Sequence, residues 1–162
     1  MSVVVRRAKR GDGRVIAEFA MKLVEQHVGY DPERFAKIAT IEGMEWFYGG
    51  QTDAEDARVL VAEIEDKVVG FAYFSFEERN YADLSVSTVK LHDIYVDREA
   101  RDTGAGGKLI EFAVDEANGF GATKMLLSVA AKNVLAQRFF EKQGFRTTMH
   151  EMMLTMSDHN QR

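Results

Sequence analysis

The chain has no cysteine. That absence removes disulfides, thiolate nucleophiles and cysteine-ligated zinc, and with them the framework that small secreted domains use. A reducing cytoplasm is the expected compartment, and no metal site is expected. Proline is almost missing, Pro32 being the single one. No stretch carries the Pro/Ser/Gly bias or the run of like charge that marks a linker or tail, so one domain over residues 1–162 is expected. Long apolar runs are lacking too. Met1 to Arg10 alternates valines with basic residues, too polar for a signal peptide, and no later run has the length to span a bilayer, so no membrane partner is expected. A positive balance is also absent. The formal charge of -5 at pH 7 argues against a nucleic-acid partner, whose phosphates need a basic face, and slightly favours a cationic one such as an amine.

What is present suits an α/β chain. With 46% of its residues hydrophobic, the chain can bury a sizeable core. Val3 to Arg7 predicts a strand. From Asp12 or Gly13 to His27, Val15, Ile16, Phe19, Ala20, Leu23 and Val24 recur on one helical face behind Asp12 as N-cap. Asp31-Pro32 predicts the start of a second helix running to about Phe47, because proline suits a first helical turn, with Gly49-Gly50 as its end. Arg58 to Glu65 and Lys67 to Phe76 predict a hairpin turning near Glu65, Asp66 and Lys67. A polar loop from Glu77 to Ser87 precedes a strand from Thr88 to Val96.

Beyond Gly104-Ala105-Gly106-Gly107, the spacing of Leu109, Ile110, Ala113, Val114 and Ala117 predicts an amphipathic helix closed by Gly119 and Gly121. Lys124 to Val129 is nearly all apolar, the pattern of a strand inside a sheet. Asn133 caps a helix from Val134 to Gln143, ended by Gly144 in the C-cap position that wants a left-handed residue. Thr147 to Met156 predicts a last strand. The expected order is β-α-α-β-β-β-α-β-α-β, a mixed α+β sheet with helices on both faces.

Chemistry concentrates where a strand runs through a glycine-rich turn into a helix. Glycines at a helix N-terminus let backbone N–H groups approach an anion, and the helix dipole adds partial positive charge. On the glycines alone, a tight turn and a phosphate site are equally good readings. A Walker loop fits poorly, because Gly107-Lys108 is followed by Leu109 rather than Ser or Thr. A dinucleotide fingerprint fits poorly as well, since that motif follows the first strand of a repeated βαβ unit.

Leu91 to Phe145 resembles the core of the GNAT superfamily of acetyl-CoA-dependent N-acetyltransferases. The resemblance rests on the strand ending at Val96, on Arg101-x-x-Gly104-x-Gly106, on Asn133-x-x-Ala136 and on Glu141-Lys142-Gln143-Gly144-Phe145. It implies the GNAT acyltransferase fold, with two splayed central strands gripping the pantetheine arm of acetyl-CoA as co-substrate. It also implies cofactor-binding roles for backbone groups of Ile94, Tyr95 and Val96, for the turn Arg101, Asp102, Thr103, Gly104, Ala105, Gly106, Gly107 and Lys108, and for Asn133. A homodimer is implied as well, and the methionine-rich last strand agrees with one. Two positions depart from the family pattern. Asp102-Thr103 stands where glycine and a small or basic residue are usual, and Phe140 stands where a tyrosine often protonates the departing thiolate. Phenylalanine has no proton to give, which leaves Tyr95, Tyr73 or water.

Amine acetylation needs a neutral amine and a group or water chain that takes its proton. His92 and Asp93, adjacent on the strand before the turn, are the catalytic candidates together with Tyr95. Because neighbours on a strand point to opposite faces, only one of the first two is expected to face substrate. His27, Tyr30, Trp46 and Tyr48 border the N-terminal helices, with Trp46 expected to be buried. Glu77, Glu78 and Tyr81 lie in the loop before the strand, and His27, Tyr30, Glu77 and Tyr81 are the substrate-binding candidates. Phe139, Phe140 and Phe145 are expected in the core, and Met149, Met152, Met153 and Met156 in core or interface. The leading expectation is acetyl transfer to a primary amine of a small molecule of polyamine, amino acid or aminoglycoside type. A protein N-terminus or lysine as acceptor, and a non-catalytic CoA-binding regulatory module, remain open.

Overall fold

The computed structural model describes residues 2–157. Its centre is a five-stranded sheet in the order β1-β2-β3-β4-β5, formed by β1 (Val3–Arg7), β2 (Ala57–Ile64), β3 (Lys67–Asn80), β4 (Ser85–Val96) and β5 (Lys124–Leu127). The first four pair antiparallel, and β5 joins β4 in parallel. That last pairing needs a crossover, which α3 (Ala105–Gly119) supplies. The other helices are α1 (Gly13–Tyr30), α2 (Ile41–Gln51) and α4 (Val134–Lys142).

Period-two alternation in the central strands builds a core on each face. Val59, Val61, Phe71, Tyr73 and Tyr95 meet Ile16, Phe19 and Ala20 of α1 and Tyr48 of α2. Leu60, Ala72, Phe74, Val89 and Leu91 meet Leu109, Ile110 and Ala113 of α3 and Phe140 of α4. Leu109 has no solvent exposure, and burying such a side chain contributes about 1.5–3 kcal/mol. The β2–β3 hairpin turns at Glu65 and Asp66, both at positive φ (50° and 64°), as a two-residue turn matched to strand twist requires. Gly70 is forced by crowding, because a Cβ there would stand 2.6 Å from the Tyr95 carbonyl oxygen.

Several boundaries differ from expectation for local reasons. Asp12 precedes α1, but its carboxylate makes no cap hydrogen bond. It accepts instead from Arg6 and from the Lys9 N–H, which holds it below the usual carboxylate range. The second helix does not start at Pro32; residues 32–34 form a turn, and Thr40 starts α2 by accepting from the Gly43 N–H at 3.0 Å. Gly49 and Gly50 lie inside α2 rather than ending it. The expected loop from Glu77 to Ser87 shrinks to 81–84, because β3 and β4 keep pairing out to Asn80↔Ser85. Asn133 caps α4 through the Ala136 N–H at 3.1 Å, and Gly144 is left-handed (φ 99°), both as expected.

The last expected strand does not form within the chain. Residues 146–155 are neither strand nor helix, and every residue from Arg146 to Leu154 is exposed. The methionines placed there in core or interface therefore pack in no core of the described residues. Among the described residues β5 ends the sheet instead of lying inside it.

Candidate active site

The site begins where two parallel strands part. β4 and β5 pair from Thr88↔Lys124 to Leu91↔Leu127 and no further. β4 runs on to Val96 beside β3, while the chain after Leu127 leaves the sheet. A cleft of about 570 Å³ opens in the fork. Ile94, Tyr95 and Val96 form one wall, Ser128 and Val129 the other, and Phe139 and Phe140 of α4 also face it.

At one end lies the turn into α3. Asp102 (φ 67°) and Gly104 (φ 86°) both adopt left-handed conformations. Left-handed residues in such a turn shape a concavity of backbone N–H groups, a known form of anion site. The first-turn N–H groups of α3 have no carbonyl one turn earlier to bond. Glycine is required at 106 for a second reason, since a Cβ there would come within 3.1 Å of the Phe139 ring. These features fit the pyrophosphate of acetyl-CoA. Arg101, Asp102, Gly104, Ala105, Gly106, Gly107 and Asn133 all line the cleft. Thr103 and Lys108 do not; the Thr103 hydroxyl donates to the Ala100 carbonyl instead.

At the fork itself, β4 carries a bulge. Tyr73 pairs with Asp93 but Phe74 pairs with Leu91, so His92 is an extra residue. A bulge interrupts side-chain alternation. As a result His92 and Asp93 both engage groups of the α1–α2 side rather than opposite faces of the sheet. The His92 ring stacks on Tyr73 (5.1 Å between centroids), and its Nε2 shares a 2.7 Å hydrogen bond with Ser75 Oγ. The Tyr48 hydroxyl donates to Asp93 Oδ2 at 2.7 Å. His92 lines the cleft, and Asp93 stands behind it.

The charges follow from this packing. Crowding by protein desolvates the His92 ring and pulls its pKa below the ordinary histidine value, with the Asp93 charge opposing. The ring still keeps an exposed surface. Burial pushes the Asp93 carboxyl above its usual range, with the Tyr48 hydrogen bond acting the other way. Burial and the same carboxylate push the Tyr48 hydroxyl well up, so it stays a proton donor.

The remaining candidates divide by location. His27 and Tyr30 line the cleft from α1. His27 Nδ1 donates to the Leu23 carbonyl at 2.8 Å, and Gln26 donates to the Tyr30 oxygen at 2.9 Å. Tyr95 lines the cleft with its ring tilted against Phe19. Glu77 and Tyr81 do not reach it, because strand pairing continues past them: Glu77 sits on a rung opposite Thr88 and accepts from Asn80, and Tyr81 is 81% exposed in the hairpin turn. Trp46 is 80% exposed rather than buried. Phe140 is buried as expected, though it also borders the cleft. Among the described residues no group of three His, Cys, Asp or Glu side chains is placed to hold a metal, and no helix is long and apolar enough to cross a membrane.

The model of the Acetyltransferase (GNAT) family matches residues 20–145. The chain belongs to this family. Like other GNAT members, it is an N-acetyltransferase that draws on acetyl-CoA. YhfO of Bacillus subtilis (strain 168), an uncharacterized N-acetyltransferase, is 27% identical over 143 residues, which cover 87% of this chain and 88% of YhfO. Two solved structures share the GNAT fold. The tetramutant of the BH1408 protein from Bacillus halodurans aligns with a TM-score of 0.81 at 21% identity, over 94% of this chain and 99% of that one. The aminoglycoside N-acetyltransferase AAC(6')-Iy in complex with CoA aligns with a TM-score of 0.78 at 16% identity, over 95% and 94%.

Proposed function

We propose that the protein acetylates a primary amine of a small molecule, with His92 as the base. The observation that carries this reading is the bulge, which sets a histidine of lowered pKa in the cleft where β4 and β5 part. Acetyl-CoA supplies an activated acyl carbon when bound. The N–H groups of the turn from Arg101 to Lys108 hold its pyrophosphate, and the free edge of β4 at Ile94, Tyr95 and Val96 orients its arm.

His92 is neutral at pH 7 and so able to take a proton. For Nδ1 to be the accepting atom, Nε2 must carry the hydrogen and donate it to Ser75 Oγ. Asp93, fixed by Tyr48, stabilises the imidazolium that results. The amine nitrogen bonds to the acyl carbon, the carbon–sulfur bond breaks, and the leaving thiolate takes a proton. Tyr95 is the donor on this reading, because Tyr73 lies outside the cleft with its hydroxyl donated to Gln51 at 3.1 Å. His27 and Tyr30 contact the acceptor. The protein works in the cytoplasm as a homodimer.

The test is a panel of polyamines, amino acids, aminoglycosides and lysine peptides with acetyl-CoA, read by a thiol-reactive dye. The chain has no cysteine, so only released CoA reacts. Turnover confined to small amines supports the proposal. Turnover confined to peptides overturns the small-molecule reading, and CoA binding without any turnover points to a regulatory module.

A further inference from the structure

His92 is the extra residue of the β4 bulge, so the ladder that fixes its neighbours does not fix its side chain. The side chain is also exposed, and burial cannot hold it either. Its orientation is set from the adjacent strand instead. The imidazole lies against the Tyr73 ring, 5.1 Å between centroids and 25° between planes, and its Nε2 shares the 2.7 Å hydrogen bond with Ser75 Oγ. Alternation puts Tyr73 and Ser75 on one face of β3. A stack fixes the plane of an imidazole but leaves it free to turn within that plane, and a hydrogen bond to one ring nitrogen stops the turning. Tyr73 is itself held from α2. Its hydroxyl donates to Gln51 Oε1 at 3.1 Å, and the rings of Phe47 and Tyr48 meet it edge to face at 5.5 Å and 5.7 Å. Neither Tyr73 nor Ser75 lines the cleft, so neither touches the reacting atoms.

We infer that Tyr73 and Ser75 are positioning residues for acetyl transfer, which together hold the His92 imidazole in one plane and one rotation, with Gln51 locking the Tyr73 half from α2. This inference rests on the reading of His92 as the base and adds what aims it. Without Ser75 the ring can turn over and exchange its two nitrogens, so that its lone pair faces the amine for only part of the time. A base must stand within hydrogen-bond reach of the proton it takes, so a loosely held one loses rate rather than affinity for acetyl-CoA. The hydrogen bond also has a direction. An imidazolium N–H is a stronger donor than a neutral one, so a Ser75 oxygen that accepts from Nε2 favours the charged ring. Desolvation lowers the pKa of the ring and Lys90 acts with it, while Asp93 and Glu77 oppose them; an accepting Ser75 joins the two carboxylates. From the helices, Tyr48 of α2 and His27 of α1 act on Asp93 behind the ring.

The test is a double-mutant cycle on an amine that the enzyme turns over, with the His92 pKa followed in parallel by proton NMR, which needs no substrate. The His92 signal, one of four histidines, is identified by its loss from His92→Asn. Ser75→Ala should lower kcat about tenfold with the KM for acetyl-CoA unchanged. Tyr73→Leu, checked for a cooperative thermal melt, should cost a similar factor. Ser75→Thr, which restores a hydroxyl, should recover most of the rate. In a His92→Asn background neither Ser75→Ala nor Tyr73→Leu should cost anything further, because both act only through the ring. The NMR titration should show the His92 pKa falling in Ser75→Ala, which moves the acid limb of the rate to lower pH. Equal losses with and without His92 make the two residues part of the general packing and overturn the inference. So does a Ser75→Ala enzyme at the parent rate, or a His92 pKa that rises, since Ser75 would then be the donor. A His92→Asn enzyme as fast as the parent overturns the base reading itself, whatever Ser75→Ala does to the pKa.

Discussion

Replacing Tyr48 with phenylalanine deletes one oxygen, the hydroxyl that donates to Asp93 at 2.7 Å. A hydrogen bond to an ionised group contributes about 1.5–3 kcal/mol. Asp93 is only partly buried by surface exposure, so the lower end, about 1.5 kcal/mol, is the expected loss. For a chain of this length that lowers Tm by about 3–6 °C. The loss must also depend on pH in a definite sense. Burial holds the folded Asp93 above its unfolded value even with Tyr48 present. Its contribution to stability is therefore fullest below the unfolded carboxylate pKa and fades as pH rises through the folded one. Removing the hydroxyl raises the folded value further, because the Tyr48 hydrogen bond is what acts to lower it. The variant thus loses least in acid, where the carboxyl is protonated in both proteins, and most at pH above both folded values. Urea unfolding of the two proteins side by side at pH values between about 4 and 8 measures the difference. A difference that is flat across pH, or a variant as stable as the parent at neutral pH, would refute the Tyr48–Asp93 argument.

Three further outcomes follow from the cleft. His92→Asn should lower kcat/KM about a hundredfold at neutral pH, the usual scale for losing a general base. The parent should lose activity on the acid side below the ordinary histidine pKa, because the ring is shifted down; a variant that keeps this acid limb contradicts the assignment. Gly104→Val with Gly106→Val should abolish CoA binding by titration calorimetry in a protein that still folds, and retained affinity places the pyrophosphate elsewhere. Phe140→Tyr should leave the rate unchanged, or raise it if thiolate departure is limiting, and a slower enzyme would contradict both.

The fold was legible wherever one periodicity spanned an element. α1 and α3 carry stripes at helical spacing, and the central strands alternate, so their existence and order could be read without the structure. Failures cluster where two signals competed. Asp31-Pro32 is a strong helix start, but the chain makes only a turn there, and Thr40 provides the cap that α2 uses. Glu77 to Ser87 is polar and reads as loop, whereas ladder hydrogen bonds extend both strands through it. Polarity in a hairpin that reaches into solvent marks exposure, not irregularity. Thr147 to Met156 has a strand pattern, yet residues 147–155 take no strand conformation, because such a pattern is realised only when the segment packs against a neighbouring strand.

The site was legible in its backbone half and illegible in its side-chain half, for one reason. Glycine spacing, the Asn133 cap and the strand-to-helix turn are local, so nearby residues reveal them. Asn133 serves as helix cap and cleft wall together, since the cap occupies one side-chain oxygen. The arrangement around His92 is nonlocal. It depends on a bulge created by the register between β3 and β4, and on Tyr48, which reaches Asp93 across 45 residues of sequence. Strict alternation would have sent one of the two candidate bases to the far face and left the choice between them open. The inserted residue puts the histidine at the cleft and leaves the carboxylate outside its lining, which is why the proposal takes His92 as the base. Desolvation pushes both groups toward their neutral forms, and the Tyr48 phenol opposes it at the carboxyl behind the cleft. On the proposed mechanism the adjacent pair at the point where two strands part divides into one base and one support, and the pairing register is what motivates that division.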